Sequence, residues 1–152
     1  MSMESDEHYM DLALAEARKA EQAGEVPVGA VIVSEGEVIG RAFNQPISQN
    51  DPTAHAEIIA LREASRRARN YRLSNSTLYC TVEPCMMCAG AMIHARLTRL
   101  VFGAPDPKAG AALSIYNVLT DPRLNHRVIV VSGIREDECA EILRQFFASR
   151  RG

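Results

Sequence analysis

Two periods of hydrophobic positions alternate along this chain. Residues 6–25 carry apolar side chains at helical spacing from Tyr9 to Ala20, which predicts a helix that stops at Gly24. Two runs of β-branched residues follow, at 26–34 and 37–43, and a Glu-Gly pair separates them. This pattern predicts two strands joined as a β-hairpin.

The middle of the chain repeats the order of helix and strand. Residues 53–70 have helical spacing with a cap expected near Thr53, and residues 77–83 form a run typical of a strand. A second helix is predicted at 84–96 and a further strand at 99–104. Each strand in this part of the chain is thus paired with a neighbouring helix.

The last third begins with a segment that is loop-like from 105 to 125, with one short helical piece at 112–120. A strand at 127–133 and a helix at 135–151 are predicted after it. Strands that alternate with helices predict a layered α/β domain around a mixed sheet, its first two strands antiparallel. A length of 152 residues suits a single domain, 1–152.

Composition narrows the class of protein. Hydrophobic residues make up 47% of the chain and charged residues 24%, as is usual for a globular domain. No apolar run has the length of a membrane span, and the start lacks the pattern of a secretory signal, so we expect a cytoplasmic protein with no membrane partner. Thiols stay reduced there, which favours metal-binding or catalytic cysteines. A net charge of −2 means that any nucleic acid must contact a local basic patch.

A pair of cysteines provides the first sign of chemistry. Cys85 and Cys88 lie at the start of the predicted helix 84–96, directly after Pro84. Their spacing places them on one helix face, and the positive end of the helix dipole favours their thiolates. Zinc takes four ligands, and a catalytic site draws three of them from the protein and one from water. The pair therefore needs a third protein ligand.

His55 is the strongest candidate for that ligand. It lies at the start of the predicted helix 53–70, and Glu57 follows two residues later. Helix starts at the carboxyl ends of strands in an α/β sheet can converge on one point. The sequence therefore predicts one zinc site formed by His55, Cys85 and Cys88, with a fourth position open for catalysis.

Glu57 decides which reaction such a site supports. A glutamate beside the metal can take the proton of a water whose pKa zinc lowers to about 7, and can pass it to a leaving amine. The reaction class is hydrolytic deamination, with Glu57 as the catalytic residue. His-x-Glu followed by Pro-Cys-x-x-Cys is the established signature of zinc-dependent base deaminases, so this prediction is a match to a known pattern.

The other cysteines and histidines have simpler interpretations. Cys80 lies within a predicted strand and Cys139 within the last helix, where small buried residues are usual. His8 lies near the start of the chain, His94 lies two turns beyond the cysteine pair, and His126 precedes the last strand, where it could face a cleft. The predicted zinc ligands therefore remain His55, Cys85 and Cys88.

Six segments of the chain resemble the bacterial tRNA-specific adenosine deaminase family of the cytidine deaminase-like superfamily, in that family's order. They are EVPVGAV, DPTAHAE, NYRL, EPCMMCAGAMIHAR, VFGAPDPKAGAA and NHRV, and the resemblance runs from about residue 9 to 151. The zinc motif is shared with cytosine-nucleotide and guanine deaminases, whereas the run at 103–111 and the Asn-His-Arg segment favour the tRNA family.

The resemblance implies a fold, a cofactor and a substrate. The fold is a three-layer α/β/α arrangement of the cytidine deaminase type, a mixed five-stranded sheet flanked by helices. The cofactor is one zinc ion per subunit. The substrate is the wobble-position adenosine in the anticodon stem-loop of an arginine tRNA, which is converted to inosine.

The resemblance also implies residues that contact the RNA. Asn44, at the end of the second strand, would contact the base, although a turn asparagine before Pro46 is an equal interpretation. The other candidates lie in the loop after the fourth strand and in the last helix: Asp106, Lys108, Phe147, Arg150 and Arg151. Residues 112–125 depart from the family's pattern and leave the contacts of that loop open.

The helix at 84–96 also bears on the oligomeric state. Its side chains are small or apolar on more faces than one sheet can cover. Together with the resemblance, this predicts a homodimer. The alternative is a helix that is enclosed within a monomer.

Three alternative functions stay open at this point. The chain could be a deaminase of free guanine or of a cytosine nucleotide, which would use the same zinc motif. It could be a zinc-stabilised interaction module, but a structural site needs a fourth protein ligand and gives Glu57 no purpose. It could be a thiol redox protein that uses Cys85 and Cys88, but such a protein needs neither His55 nor Glu57.

Overall fold

The computed structural model describes residues 2–151, except for the side chain of Arg151. Within that range the helices are α1 (Met3–Gln22), α2 (Pro46–Gln49), α3 (Ala56–Ala68), α4 (Met86–His94) and α5 (Glu136–Arg151). The strands are β1 (Gly29–Ser34), β2 (Glu37–Phe43), β3 (Ser76–Val82), β4 (Arg99–Ala104) and β5 (Ile129–Ser132). Apart from the short helix predicted at 112–120, the predicted order of helices and strands is confirmed, and α2 is an element that the sequence pattern did not predict.

Two local predictions were wrong. Helix α3 begins after His55 and not near Thr53, because the side chain of Asp51 accepts hydrogen bonds from the backbone and hydroxyl of Thr53 and holds that residue in a turn. The short helix predicted at 112–120 does not form, and turns occupy this part of the described chain. The backbone N–H groups of residues 112–114 donate to the Glu83 carboxylate instead of forming a helical ladder.

The five strands form one mixed sheet in the order β2-β1-β3-β4-β5. Strand β1 pairs antiparallel with both β2 and β3, whereas β3, β4 and β5 run parallel to one another. The prediction of a mixed five-stranded sheet flanked by helices is confirmed.

Both faces of the sheet are buried. Ile32, Leu78 and Phe102 belong to a core cluster on the face that α3 and α4 cover. Their immediate neighbours in β1 and β3, Val31 and Tyr79, belong to the cluster formed with α1 and α5 on the opposite face. This alternation follows from the two-residue period of a strand and gives the three layers of the domain.

Close helix–sheet contact positions α3. A side chain at Gly40 in β2 would place its Cβ 2.6 Å from the carbonyl oxygen of Ala60 in α3, so only glycine fits this approach. On the opposite face, Asp6 of α1 accepts hydrogen bonds from Tyr79 (2.8 Å) and Arg99 (2.5 Å). These contacts fix both helical layers on the strands that lead to the candidate site.

None of the helices in the described range combines the length and the apolar character that a membrane crossing requires.

Candidate active site and metal centre

His55 and Cys85 occupy equivalent positions at the starts of two helices. Each is the N-cap residue of its helix, with extended backbone angles: φ −72° and ψ 151° for His55 before α3, and φ −77° and ψ 176° for Cys85 before α4. Cys88 lies one turn into α4 and is fully buried. The two helix starts therefore present one imidazole and two thiols to a common point, as the sequence predicted.

The distances from the His55 nitrogen to the two cysteine sulfurs fit a tetrahedral zinc ion. Nδ1 of His55 lies 3.6 Å from Sγ of Cys85 and 3.5 Å from Sγ of Cys88. Zinc lies about 2.3 Å from sulfur and about 2.0 Å from nitrogen, which in tetrahedral geometry separates the two atoms by about 3.5 Å. Among the described residues, these three form the one group with metal-ligand spacing, and their donor atoms lie within 4.8 Å of one another.

The protonation of the cysteines also favours a cation at this point. A hydrogen bond with Cys88 and the neighbouring His55 imidazole lower the pKa of Cys85 to about 3, against the opposing effect of burial. The interaction with Cys85 and burial raise the pKa of Cys88. Cys85 thus loses its proton readily. A bound metal cation could replace the proton that Cys88 keeps.

Glu57 lies two residues beyond His55, in the first turn of α3, and its side chain is only 4% exposed. Burial raises the pKa of its carboxyl group, although the nearby His55 acts in the opposite direction. A raised pKa makes this carboxylate a stronger proton acceptor than that of an exposed glutamate. The arrangement suits a residue that moves protons and does not bind the metal.

A cavity of about 220 Å³ opens directly on this group. Its walls include His55, Glu57 and Cys85 from the helix starts and Asn44 from the end of β2. The backbone N–H of Asn44 donates to the carbonyl of Val28 (3.0 Å), so the residue is held at the cavity wall while its side chain is half-buried. The structure therefore brings Asn44 to the metal-ligand group.

The loop after β4 forms the facing wall. Asp106 lines the same cavity, and its Oδ1 accepts hydrogen bonds from the backbone N–H groups of Lys108 (3.0 Å) and Ala109 (3.2 Å). A second cavity of about 430 Å³ adjoins the first and shares Asp106 with it. Lys108 and Phe147 line this second cavity, and Phe147 is 44% exposed while Phe146 packs inward.

The end of α5 is held close to the chain segment before β1. Arg150 donates to the carbonyl of Gly24 (3.2 Å), and its guanidinium stacks on the ring of Phe146. Arg151 is the last residue of α5, and its side chain lies outside the described residues.

Two buried carboxylates, of which Glu83 lines the cavity, were not predicted from the sequence. Glu25 accepts hydrogen bonds from Ile47 and Ser48 at the start of α2, and Glu83 accepts bonds from the loop after β4. Glu83 stands directly before the Pro-Cys motif, but an acidic residue beside a metal motif does not show which distant backbone groups it will bind. The apolar residues Val26 and Val28, which also line the cavity, carried no chemical signal.

The remaining cysteines and histidines do not belong to the metal-ligand group. Cys80 and Cys139 are fully buried, and His8 and His94 are exposed. His126 is not part of the metal-ligand group; its ring nitrogen lies 2.7 Å from the carbonyl of Leu97 and connects the segment before β5 to the loop between α4 and β4.

Most of the chain matches a known protein family and its curated relatives. Residues 3–104 match the family of the cytidine and deoxycytidylate deaminase zinc-binding region. The tRNA-specific adenosine deaminase of Haemophilus influenzae is 53% identical over 149 residues, which cover 97% of this chain and 86% of that protein. The enzyme of the same name from Bacillus subtilis is 47% identical and covers 98% of this chain and 92% of its own.

Solved structures agree in fold. A structure from studies of A-to-I editing by tRNA:A34 deaminases at the wobble position of transfer RNA superimposes with a TM-score of 0.86. It is 48% identical and covers 90% of this chain and 99% of its own. The guanine deaminase of Nitrosomonas europaea has a TM-score of 0.81 but only 24% identity, over 93% of this chain and 84% of its own, which is a likeness of fold.

Proposed function

Since this chain belongs to the tRNA-specific adenosine deaminases of the cytidine and deoxycytidylate deaminase family, we propose that it converts the wobble adenosine of an arginine tRNA anticodon to inosine. The observation that carries the proposal is the cavity in which Glu57 lies beside the three donor atoms of His55, Cys85 and Cys88. The chain works as one deaminase domain over 1–152. Its thiol ligands need reducing conditions, which supports a cytoplasmic location.

His55, Cys85 and Cys88 would hold one zinc ion per subunit. Bound zinc lowers the pKa of a water ligand to about 7 and so supplies a nucleophile at neutral pH. The donor set favours zinc because two thiolates and one imidazole are among its preferred ligands, and because three protein ligands leave a fourth position open. The buried sheet end holds these side chains in place before substrate arrives.

Glu57 carries the protons of the reaction. Its carboxylate takes the proton from the attacking water and delivers it to the purine ring nitrogen. It then moves the proton of the new C–OH group to the amino group, which departs as ammonia. Burial raises the pKa of this carboxyl group, which strengthens it as a proton acceptor. Asn44 lies on the wall of the same cavity, where its amide can hydrogen-bond an edge of the base.

An RNA substrate fits the shape of the site. A base must leave its stack to enter a cavity of this kind, and an unpaired anticodon loop offers such a base at low cost. Asp106, Lys108 and Phe147 line the neighbouring cavity, where they would contact the adjoining nucleotides. Arg150 and Arg151 at the end of α5 would contact the phosphate backbone.

The comparison of one RNA with several small substrates tests this proposal. The purified protein is incubated with an anticodon stem-loop of an arginine tRNA that carries adenosine at the wobble position, and separately with free adenosine, cytidine, deoxycytidylate and guanine. Inosine from the stem-loop alone supports the proposal. Turnover of a free base or nucleotide, with no reaction on the stem-loop, would assign a small-molecule substrate instead.

We further propose that the protein is a homodimer that associates through α4. Ala89 and Met92 of this helix are fully buried against the sheet, but Met86 is 47% exposed and Met87 is 36% exposed. Tyr71 lies beside α4 and is also exposed, so apolar surface is left on the outer side of this layer. Sedimentation at micromolar concentration tests the proposal, and a mass near 16.7 kDa would contradict it.

A further inference from the structure

Glu83 is a buried carboxylate between β3 and the Pro84-Cys85 turn, and only 3% of it is exposed. Its Oε2 accepts hydrogen bonds from the backbone N–H groups of three successive residues, Ala112 (3.1 Å), Leu113 (2.8 Å) and Ser114 (2.9 Å). Its Oε1 accepts from the backbone of Asp106 (3.0 Å) and from the hydroxyl of Ser114 (2.5 Å). Both oxygens are fully used.

These donors lie at the two ends of the segment 105–114, so the segment closes around one carboxylate. No basic side chain forms an ion pair with Glu83 in the part of the chain that the structure describes. The buried negative charge is therefore balanced by backbone dipoles of this one segment. Such charge-assisted bonds are about twice as strong as neutral ones.

Gly110 shows how closely the segment approaches the carboxylate. A Cβ atom at this position would lie 2.3 Å from Cδ of Glu83 and 2.6 Å from the carbonyl oxygen of Asp106. The backbone N–H of Gly110 donates to that same carbonyl (2.8 Å). The path of the segment thus depends on the carboxylate at its centre and on the missing side chain beside it.

The segment also forms a wall of the two cavities. Asp106 and Ala109 line the cavity that contains Glu57, and Pro107 and Lys108 line the second cavity. Backbone bonds join the segment to the ligand-bearing turn, because Ala111 donates to the carbonyl of Pro84 (2.9 Å). Glu83 therefore connects the turn that carries Cys85 with the wall on which RNA would rest.

We propose that Glu83 is a positioning residue that fixes the segment 105–114 beside the reacting base and thereby sets the affinity for RNA. This inference rests on the proposed function, since the segment is given a role in binding the nucleotides around the wobble adenosine. Glu83 takes no part in proton transfer. Its loss should raise KM for the stem-loop and leave kcat and zinc content nearly unchanged.

The test is Glu83→Gln, which keeps the size of the side chain but replaces one acceptor oxygen by an amide donor. We expect KM for the anticodon stem-loop to rise roughly ten- to a hundredfold, the factor that corresponds to one lost charge-assisted bond. Hydrogen exchange at the amides of residues 112–114 should become faster. Glu37→Gln, at an exposed position in β2, is the matched control and should change neither quantity.

Ser114→Ala keeps the test decisive if Glu83→Gln does not fold. It removes only the hydroxyl donor and keeps the carboxylate, so KM should rise a few fold in the same direction. Where both variants fold, their combination should be less than additive, because they remove contacts of one group.

The outcomes separate the two proposals. Absence of wild-type turnover on the stem-loop would overturn the proposed function. Wild-type turnover together with an unchanged KM in Glu83→Gln, or in Ser114→Ala where only that variant folds, would overturn the role of Glu83 alone. A fall in kcat at constant KM, or loss of zinc from a folded variant, would also overturn it, because either result would place Glu83 in the chemistry or in the metal site.

Discussion

The cavity has two walls that are held in place by different forces. On one side, His55 and Cys85 stand at the starts of α3 and α4, and these helices bury apolar faces on the sheet. On the other side, the segment 105–114 forms no helix or strand; it buries Ala111 and Ala112 in the core, and its backbone is held by hydrogen bonds to Glu83. Helix packing positions the chemistry, and one buried charge fixes the backbone of the wall that faces the substrate.

This difference predicts that the two walls can be damaged separately. Loss of a group on the helix side should affect metal content or the rate of the chemical step. Loss of a group on the loop side should affect the affinity for RNA, because the loop carries no metal ligand. The changes below test that separation, from the largest expected effect to the smallest.

Cys85→Ala should have the largest effect. It removes one of three protein ligands, so we expect loss of zinc, loss of activity and a lower free energy of unfolding, since metal binding contributes to folding. Metal analysis of the purified variant and thermal unfolding measure these effects. Cys80→Ala alters a buried cysteine that is not a ligand and should keep its zinc. Full zinc content in the Cys85 variant would show that the ligand set is wrong.

Glu57→Gln should separate chemistry from metal binding on the same wall. The amide is similar in size but cannot carry a proton, and general acid–base catalysis contributes about 10²- to 10⁴-fold. We expect kcat on the stem-loop to fall by at least that factor while zinc content and RNA affinity stay unchanged. Single-turnover rates and metal analysis test this expectation. A variant within tenfold of wild type would mean that another group moves the proton.

Lys108→Ala should show a smaller effect of a different kind. Lys108 lines the second cavity, and a lost phosphate contact weakens binding and reduces the salt dependence of log K by about one counterion. Titrations of the stem-loop at several salt concentrations measure this slope. Arg67→Ala, at an exposed position in the last turn of α3, is the control. An unchanged slope in the Lys108 variant would remove this residue from the RNA surface.

Glu25→Gln should have the smallest effect and tests whether a buried carboxylate also supports the wall that carries Asn44. Burial alone would raise the pKa of Glu25, but hydrogen bonds from Ser48 and Ile47 outweigh it, and the pKa is lowered. Its contribution to stability is therefore present above the unfolded pKa of about 4.3 and is lost as pH falls through the lower folded value. The melting temperatures of wild type and variant should differ most above pH ~5 and should converge in stronger acid. A constant difference across this range would contradict the assignment.

The helix side of the site was predictable from sequence, and the loop side was not. His55, Glu57, Cys85 and Cys88 have a fixed spacing within short segments, and the strand and helix patterns place those segments at one edge of a sheet. The roles of Asn44, Asp106, Lys108, Phe147, Arg150 and Arg151 came from family resemblance and stay predictions.

The loop depends on contacts between residues far apart in sequence. Glu83 and Leu113 are 30 positions apart, and no local pattern indicates that one accepts a hydrogen bond from the other. The short helix predicted at 112–120 does not form for the same reason, because three of its backbone N–H groups donate to that carboxylate. The cap predicted near Thr53 for α3 was wrong for a more local reason, because the side chain of Asp51 accepts a hydrogen bond from Thr53 and holds it in a turn.

The order of strands in the sheet has a consequence for the growing chain on the ribosome. Strand β1 lies between β2 and β3, but β3 begins at Ser76, long after β1 ends at Ser34. At about 5–20 residues per second, some two to eight seconds of translation separate the two. During that interval the apolar strand Gly29–Ser34 has an open edge, which is a template for pairing with other chains. Nascent chains paused between these strands should therefore be the species most dependent on chaperones and most prone to aggregate.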